Sequence, residues 1–210
     1  SFAPVASISE GGFILVVKAN SQWKTMQELI EYSKKNPKKI NYTTSGAMGV
    51  THLIAEIFAD EAGVEWTHIP EKGSGPAVTA LLGGHVELSS AAIGPAMAHV
   101  RAGTLRALAV FSDKRLKAFP DVPTLKELGY KVEARALYGI LAPKDTPKPV
   151  VDAIFLAAKK AGEKYQMQIS DSLNSLGAQI ALLDPKEYAE YVADQKAMFT
   201  KAKQTLKLSE

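Results

Sequence analysis

Short apolar runs alternate with helical patterns along most of the chain. Residues 13–17 form an uninterrupted apolar run, which predicts a strand covered on both faces. Residues 105–111 predict a second buried strand. Residues 50–62 have helical spacing and are followed by Gly63, a common helix end. This alternation is typical of βαβ units, so we expect an α/β fold with a mostly parallel sheet and helices on both of its faces.

Capping residues mark several helix ends. Thr25 and Glu28 predict a capping box at the start of one helix, and Asp184, placed before a proline, predicts the start of the last helix. A short helix is expected over residues 125–128. The C-terminal third of the chain is mainly helical, and a longer extended segment precedes it. We therefore expect a boundary between two lobes near residues 132–142.

Composition and charge exclude several classes of protein. Hydrophobic residues make up 46% of the 210 residues and charged residues 22%, which is ordinary globular composition. The net charge of +3 has no basic patch behind it, because the lysines at residues 34–39 read as a solvated helix end, so we expect no nucleic-acid partner. Cysteine is absent, and the four histidines form no metal-binding spacing, so we expect neither metal nor cofactor. The chain opens at Ser1 without a methionine or a visible signal peptide, so we expect a processed, cut or engineered start.

Three strand-to-helix junctions carry the candidate chemistry, at residues 43–51, 71–76 and 91–95. Each follows the carboxyl end of a predicted strand, which is the edge where parallel sheets bind ligands. Glycine lets a ligand approach the backbone, and the free N–H groups of a helix's first turn favour an anion. The short hydroxyl donors suited to carboxylate oxygens are Thr43, Thr44, Ser45, Thr51 and Ser74.

The same junctions give little support to a nucleotide site or an enzyme. The glycines at 73 and 75 do not complete a dinucleotide fingerprint, and no Walker or Gly-x-Ser-x-Gly motif occurs. Ser74 lies two residues from Lys72, but this spacing at a loop–helix joint is more typical of a cap beside a surface lysine. His52 follows the first junction, where it either contacts a ligand or packs in the interior.

One segment resembles a known family. Residues 41–53, Asn-Tyr-Thr-Thr-Ser-Gly-Ala-Met-Gly-Val-Thr-His-Leu, are similar to the domain 2 ligand loop of the tripartite tricarboxylate transporter solute receptors, the TctC or Bug family. Further blocks that match in family order lie at residues 70–77, 81–84, 102–110, 120–124 and 138–143 with 146–147. Together these blocks cover essentially the whole chain.

The resemblance implies a type II periplasmic binding protein, in which two α/β lobes close on a small carboxylate-bearing solute. Such a receptor is not an enzyme. It hands the solute, a dicarboxylate, tricarboxylate, amino acid or aromatic acid, to membrane transporter subunits. The implied location is the periplasm, or the outer face of the membrane in a Gram-positive cell.

The resemblance also implies a set of site residues. The expected carboxylate cradle in domain 2 consists of Thr44, Ser45, Gly46, Met48, Gly49 and Thr51, and His52 is a further candidate beside it. The expected cleft walls are Gly73, Ser74, Ile93 and Gly94. Tyr138 is expected near the hinge.

The family pattern starts with a signal peptide and a glycine-rich part of domain 1, and we expect no counterpart of either within these 210 residues. We therefore expect residues 1–11 to cross from domain 1, residues 12–134 to form domain 2, and residues 135–210 to form the C-terminal portion of domain 1, a partial second lobe. We expect proteolysis or engineering rather than natural truncation to explain the missing part. Apolar surface left on the partial lobe could drive self-association.

One departure and two alternatives remain open at this stage. Glu71 stands where many relatives carry tyrosine, and we expect it to face solvent rather than to favour a ligand with an amino group. The first alternative function is a small-molecule enzyme whose catalytic groups lie in the missing N-terminal part. The second is a sensor or interaction lobe with no role in transport.

Overall fold

This computed structural model describes residues 2–206, in which strands and helices alternate as far as residue 110. Its strands are β1 (Phe2–Lys18), β2 (Asn41–Thr44), β3 (Thr67–Pro70), β4 (Leu88–Ala92), β5 (Leu105–Val110), β6 (Arg135–Pro143) and β7 (Ala178–Leu183). Its helices are α1 (Met26–Lys35), α2 (Val50–Ala62), α3 (Ser74–Gly83), α4 (Ile93–Arg101), α5 (Lys148–Lys164), α6 (Gln166–Ser175) and α7 (Pro185–Thr205).

These elements form two compact units. Unit 1 consists of residues 2–11 and 136–201, and unit 2 consists of residues 12–135 with residues 202–206. The assignment of these units to the two domains of a receptor remains a prediction.

The sheet of unit 2 has the strand order β3-β2-β4-β1-β5. β2 lies between β3 and β4 and is parallel to both, whereas β1 is antiparallel to β4 and to β5. Four of these five strands therefore run in one direction, and β1 runs against them. The α/β fold class is confirmed, with a mixed sheet flanked by helices.

The core of unit 2 explains the apolar run in β1. Residues 13–17 are all buried because strands flank β1 on both sides and apolar residues cover it. The cluster that packs around them draws on β1, β4, β5, α3 and α4, and its members include Ile14, Val16, Leu81, Ala91, Ile93, Met97 and Phe119. Ile93 is 1% exposed, so its side chain belongs to this core.

Local capping signals position several helices as expected. The Thr25 hydroxyl accepts from the backbone N–H of Glu28, and the Glu28 carboxylate accepts from that of Thr25, which completes the capping box. Gly63 adopts a left-handed conformation (φ 65°) and ends α2. The helix expected over residues 125–128 is wrong. These residues form a hydrogen-bonded turn, since the Tyr130 N–H returns to the carbonyl of Leu125 and no further helical turn follows.

Unit 1 combines β6, β7, the first part of β1 and the helices α5 to α7. β7 pairs antiparallel with β1, for example Ser9 with Ile180. Asp184 caps α7, because its Oδ1 accepts from the backbone N–H groups of Lys186 and Glu187. The apolar core of this unit is small and centres on Val5, Ala142 and Val151.

Candidate ligand-binding site

Three helices of unit 2 begin at one edge of the sheet. β2 ends at Thr44, β3 at Pro70 and β4 at Ala92, and their carboxyl ends share an edge because the three strands are parallel neighbours. The helices α2, α3 and α4 follow, with Gly49, Gly73 and Ala92 as their N-cap residues. The three junctions expected from the sequence therefore lie along the same edge.

The N-termini of α2, α3 and α4 are open to an anion. None of their N-cap residues makes a side-chain capping hydrogen bond, and none of these described helices has an acidic residue in its first turn. The first N–H groups of a helix have no partner within the helix, and the helix dipole adds positive potential there. The edge thus presents hydrogen-bond donors from three helices without a competing carboxylate in their first turns.

Thr51 stabilises the loop between β2 and α2 through hydrogen bonds to Ser45. Its hydroxyl accepts from the backbone N–H of Ser45 (3.0 Å) and lies 2.7 Å from the Ser45 hydroxyl. Thr51 is 2% exposed, whereas Ser45 is only partly buried. Ser45 is therefore the accessible hydroxyl of this pair, and Thr51 positions it.

Positive φ angles shape the backbone at this edge. Gly46 has φ 150° and Gly73 has φ 127°, a region in which an L side chain is strained. Met48 has φ 57°, which is uncommon for a residue with a side chain and persists only where the surroundings hold it. The backbone N–H of Met48 donates to Nδ1 of His52 (3.0 Å), and this hydrogen bond stabilises the uncommon conformation of Met48.

Four polar side chains form a cluster beneath this loop, between α2 and the sheet. The His52 and His68 rings stack with centroids 3.8 Å apart and planes 7° apart. Nε2 of His52 lies 3.8 Å from a carboxylate oxygen of Glu56, and the Tyr42 hydroxyl donates to that carboxylate. Nε2 of His68 lies 2.7 Å from the hydroxyl of Thr44, at the start of the loop.

The cluster favours neutral imidazoles. Burial lowers the pKa of His52, against the opposing effect of the Glu56 charge. Burial, followed by repulsion from His52, lowers the pKa of His68 to about 4. Burial and the adjacent Glu56 raise the pKa of Tyr42 above its usual range. Near neutral pH, the two imidazoles and the Tyr42 hydroxyl are therefore neutral.

The structure brings most of the expected site residues together. Thr44, Ser45, Gly46, Met48, Gly49, Thr51 and His52 form the loop and first turn at α2. Ser74 joins the second junction to the third, because its hydroxyl accepts from the backbone N–H of Ala92. Gly73 and Gly94 lie at the starts of α3 and α4.

Three expected site residues have surroundings that limit their roles. Ile93 can offer only its backbone to the edge, since its side chain lies in the core. His52 is 7% exposed and packs in the interior, and its contact with a solute stays a prediction. Tyr138 lies in unit 1 on β6, is 53% exposed, and its ring lies against the backbone of Gly11.

His68, Tyr42 and Glu56 support the loop but were not among the expected site residues. His68 is 16 positions from His52 and belongs to another element, so no local motif joins them. The one available signal is strand register, which pairs Tyr42 with His68.

Glu71 is partly buried, and its backbone N–H donates to the carbonyl of Thr44.

Residues 2–206 contain neither a metal-binding cluster nor a membrane-spanning helix. That part of the chain contains no cluster of three or more potential metal-ligating side chains among His, Cys, Asp and Glu. Nor does it contain a helix long and apolar enough to cross a membrane.

Comparison with known proteins gives the family. Residues 1–208 match the Tripartite tricarboxylate transporter family receptor, TctC. The chain belongs to the TctC family. This family consists of periplasmic solute-binding receptors rather than enzymes. The resemblance of the chain to this family is thereby confirmed.

Several relatives of known sequence or structure resemble this TctC chain closely. The UPF0065 protein in the gbd 5′ region of Cupriavidus necator is 39% identical over 191 residues, which is 90% of this chain and 57% of that protein. R. palustris Rpa4515, solved with adipate, is 28% identical with a TM-score of 0.87, covering 99% of this chain and 69% of that one. MatC of Rhodopseudomonas palustris, solved with malate, is 26% identical with a TM-score of 0.81, covering 98% and 69%. This chain spans 57% of that Cupriavidus necator protein and 59% of BugT from Bordetella pertussis, which is less than two thirds of either relative.

Proposed function

We propose that this chain binds a small carboxylate-bearing solute outside the cytoplasm and delivers it to a tripartite tricarboxylate-type membrane transporter. The single observation that carries the proposal is the convergence of three uncapped helix N-termini on one sheet edge. Anions bind at such N-termini because the N–H groups and the helix dipole both favour negative charge. Adipate and malate, present in two related receptor structures, are acids of the expected kind.

The proposed carboxylate cradle consists of backbone N–H groups and one accessible hydroxyl. Ser45 offers the hydroxyl, and Gly46 and Gly73 let a carboxylate approach the chain. The Met48 N–H is already bound to His52, so Met48 would contact a solute through its side chain. Recognition by neutral donors rather than by a buried cation suits a receptor, since the solute must also be released.

The same contacts favour a receptor over an enzyme. The hydroxyl of Ser45 pairs with that of Thr51 rather than with an imidazole, so no base is placed to activate it. His52 binds a backbone N–H and packs against His68. Neither the enzyme nor the sensor alternative has a specific observation of this kind in its favour.

A titration of the ¹⁵N-labelled chain with adipate, malate and citrate tests this proposal. NMR detects millimolar binding, so weak capture by this chain alone is measurable. We expect saturable shifts of the backbone amides at residues 45–51, 73–75 and 93–94. The control is 1,6-hexanediol, which has the carbon chain length of adipate but no carboxylates. The absence of saturable shifts with all three acids, or equal shifts with the diol, would overturn the proposal.

A further inference from the structure

The stacked rings of His52 and His68 lie under the loop between β2 and α2, and each ring contacts one end of it. Nδ1 of His52 accepts the backbone N–H of Met48 at 3.0 Å. Nε2 of His68 lies 2.7 Å from the Thr44 hydroxyl, which in turn lies 3.1 Å from the carbonyl of Gly46. One pair of imidazoles therefore joins both ends of the segment that begins at Thr44 and ends at Met48.

The contact with Met48 determines the protonation of His52. A backbone N–H can only donate, so Nδ1 must carry a lone pair. The proton of the neutral ring is therefore on Nε2, on the side of Glu56. A second proton would have to go to Nδ1, where it would meet the Met48 N–H, and the hydrogen bond would be lost.

We propose that the His52–His68 pair is the positioning element of this loop, and that protonation of the pair releases Met48 and loosens the segment. With the carboxylate role proposed above, on which this consequence rests, acidification weakens anion binding at the edge. His52 acts here as a positioning residue behind the solute contacts, through the backbone that it holds.

The charged and titratable surroundings of the pair are few. α2 contributes Glu56, β2 contributes Tyr42, and β3 contributes His68 itself. Glu56 favours a proton on His52, but burial acts more strongly in the opposite direction and keeps the pKa of His52 below its usual value. The like charge that would arise on His52 similarly opposes a proton on His68, beyond the effect of burial. The pair is thus neutral near pH 7 and takes up protons only below the usual pKa of histidine.

The first experiment uses the wild-type chain without ligand. NMR spectra recorded from pH 7.5 to pH 3.5 would follow the imidazole signals of His52 and His68 together with the backbone amide of Met48. We expect the Met48 amide signal to move and its protection factor, the intrinsic exchange rate divided by the measured rate, to fall with the same midpoint as the His52 imidazole. His85 and His99, which lie outside the cluster, are internal references. An unchanged Met48 amide while the imidazoles titrate would overturn the proposal.

Two variants of His52 distinguish the effect of its hydrogen-bond acceptor from the effect of its ring packing. His52→Asn can place an acceptor near the position of Nδ1 but takes up no proton, so the response of Met48 to pH should disappear. His52→Phe retains a flat ring against His68 but has no acceptor, so the Met48 amide should exchange rapidly even at pH 7.5. Wild-type protection of Met48 in His52→Phe would show that the acceptor does not hold the loop.

Adipate affinity at pH 7.5 and pH 5.0 gives the functional readout. Adipate itself takes up protons in this range, so the measurement is the ratio of affinities at the two pH values, compared between wild type and His52→Asn. We expect the wild-type ratio to be larger by about fivefold, the change that corresponds to one ordinary hydrogen bond. The exposed-histidine control His85→Asn should retain the wild-type ratio. Equal ratios in wild type and His52→Asn would overturn the proposed link to binding.

The two proposals fail in different ways. If the loop follows the imidazoles but no amide responds to adipate at any pH, the positioning role is supported and the carboxylate function is overturned. If adipate binds but Met48 does not respond to the imidazoles, the carboxylate function is supported and the positioning role is overturned.

Discussion

The hydroxyl of Thr51 lies 2.7 Å from the hydroxyl of Ser45 and accepts the backbone N–H of the same residue at 3.0 Å. Because Thr51 is on the first turn of α2, this contact fixes the preceding loop to the start of the helix. The buried Thr51 would therefore affect a bound acid indirectly, through the placement of Ser45.

Thr51→Val tests this contact. The substitution keeps the shape of the side chain but leaves the Ser45 N–H without its acceptor, so we expect acid binding to weaken by about 1 kcal/mol, roughly fivefold. Thr51→Ser keeps the hydroxyl and should bind like the wild type. The measurement is the dissociation constant for adipate by NMR titration. Unchanged affinity in Thr51→Val would show that this hydroxyl does not support the proposed cradle.

The backbone at Gly73 predicts opposite results for two neighbouring glycines. Gly73 has φ 127°, so Gly73→Ala should be strained and should lower the free energy of unfolding by about 1 kcal/mol or more. Gly75 is in the first turn of α3, and no atom lies within 4 Å of the position that a Cβ would take, so Gly75→Ala should be neutral or stabilising by up to about 1 kcal/mol. Urea unfolding followed by circular dichroism measures both. A Gly73→Ala variant as stable as Gly75→Ala would contradict the strained conformation.

Close packing in unit 1 gives a second pair of glycine variants. A Cβ on Gly139 would overlap the carbonyl oxygen of Ala6 and lie 3.0 Å from Cα of Ser7, and backbone atoms cannot easily move away. We expect Gly139→Ala to destabilise unit 1 by about 1–3 kcal/mol, as overpacking typically does. Gly162→Ala, within α5 and with no atom near, should be neutral or slightly stabilising. Urea unfolding measures the free energy of unfolding of both variants, and if two transitions appear, each unit is analysed separately. Equal free energies of unfolding for Gly139→Ala and Gly162→Ala would show that this packing is unimportant.

The lowered pKa of His68 predicts how stability depends on pH. In the unfolded chain His68 takes up a proton near its ordinary pKa of 6.5, but in the folded chain only near pH 4. The unfolded state thus binds more protons between these values, so the contribution to stability is complete above about pH 6.5 and is lost as the pH falls towards 4.

Urea unfolding of wild type and His68→Asn between pH 7.5 and pH 4.5 measures this contribution. Other groups titrate in both proteins, so the informative quantity is the wild-type free energy of unfolding minus that of the variant. We expect this difference to be largest above pH 6.5 and to decline on acidification. A difference that is constant over the range would show that His68 titrates alike in the folded and unfolded chains.

Local patterns in the sequence predicted much of the framework. The capping box at Thr25, the end of α2 at Gly63 and the cap of α7 at Asp184 depend on backbone geometry within a few residues, so short motifs identify them. The turn at residues 125–128 shows the limit of this approach. Its spacing is helical, but four residues cannot continue a helix without further packing.

The sequence by itself determined the α/β class, the family and the three glycine-containing junctions. The alternation of strand and helix patterns, the capping residues and the order of the motifs all depend on residues that are close in sequence. Only the tertiary structure decided what those residues contact. The register of β2 against β3 placed His68 beside Tyr42, and the packing of α2 stacked His52 on His68. The side chain of Ile93 packs in the core of unit 2. Such contacts join residues from separate elements, and their geometry depends on how strands pair and helices pack.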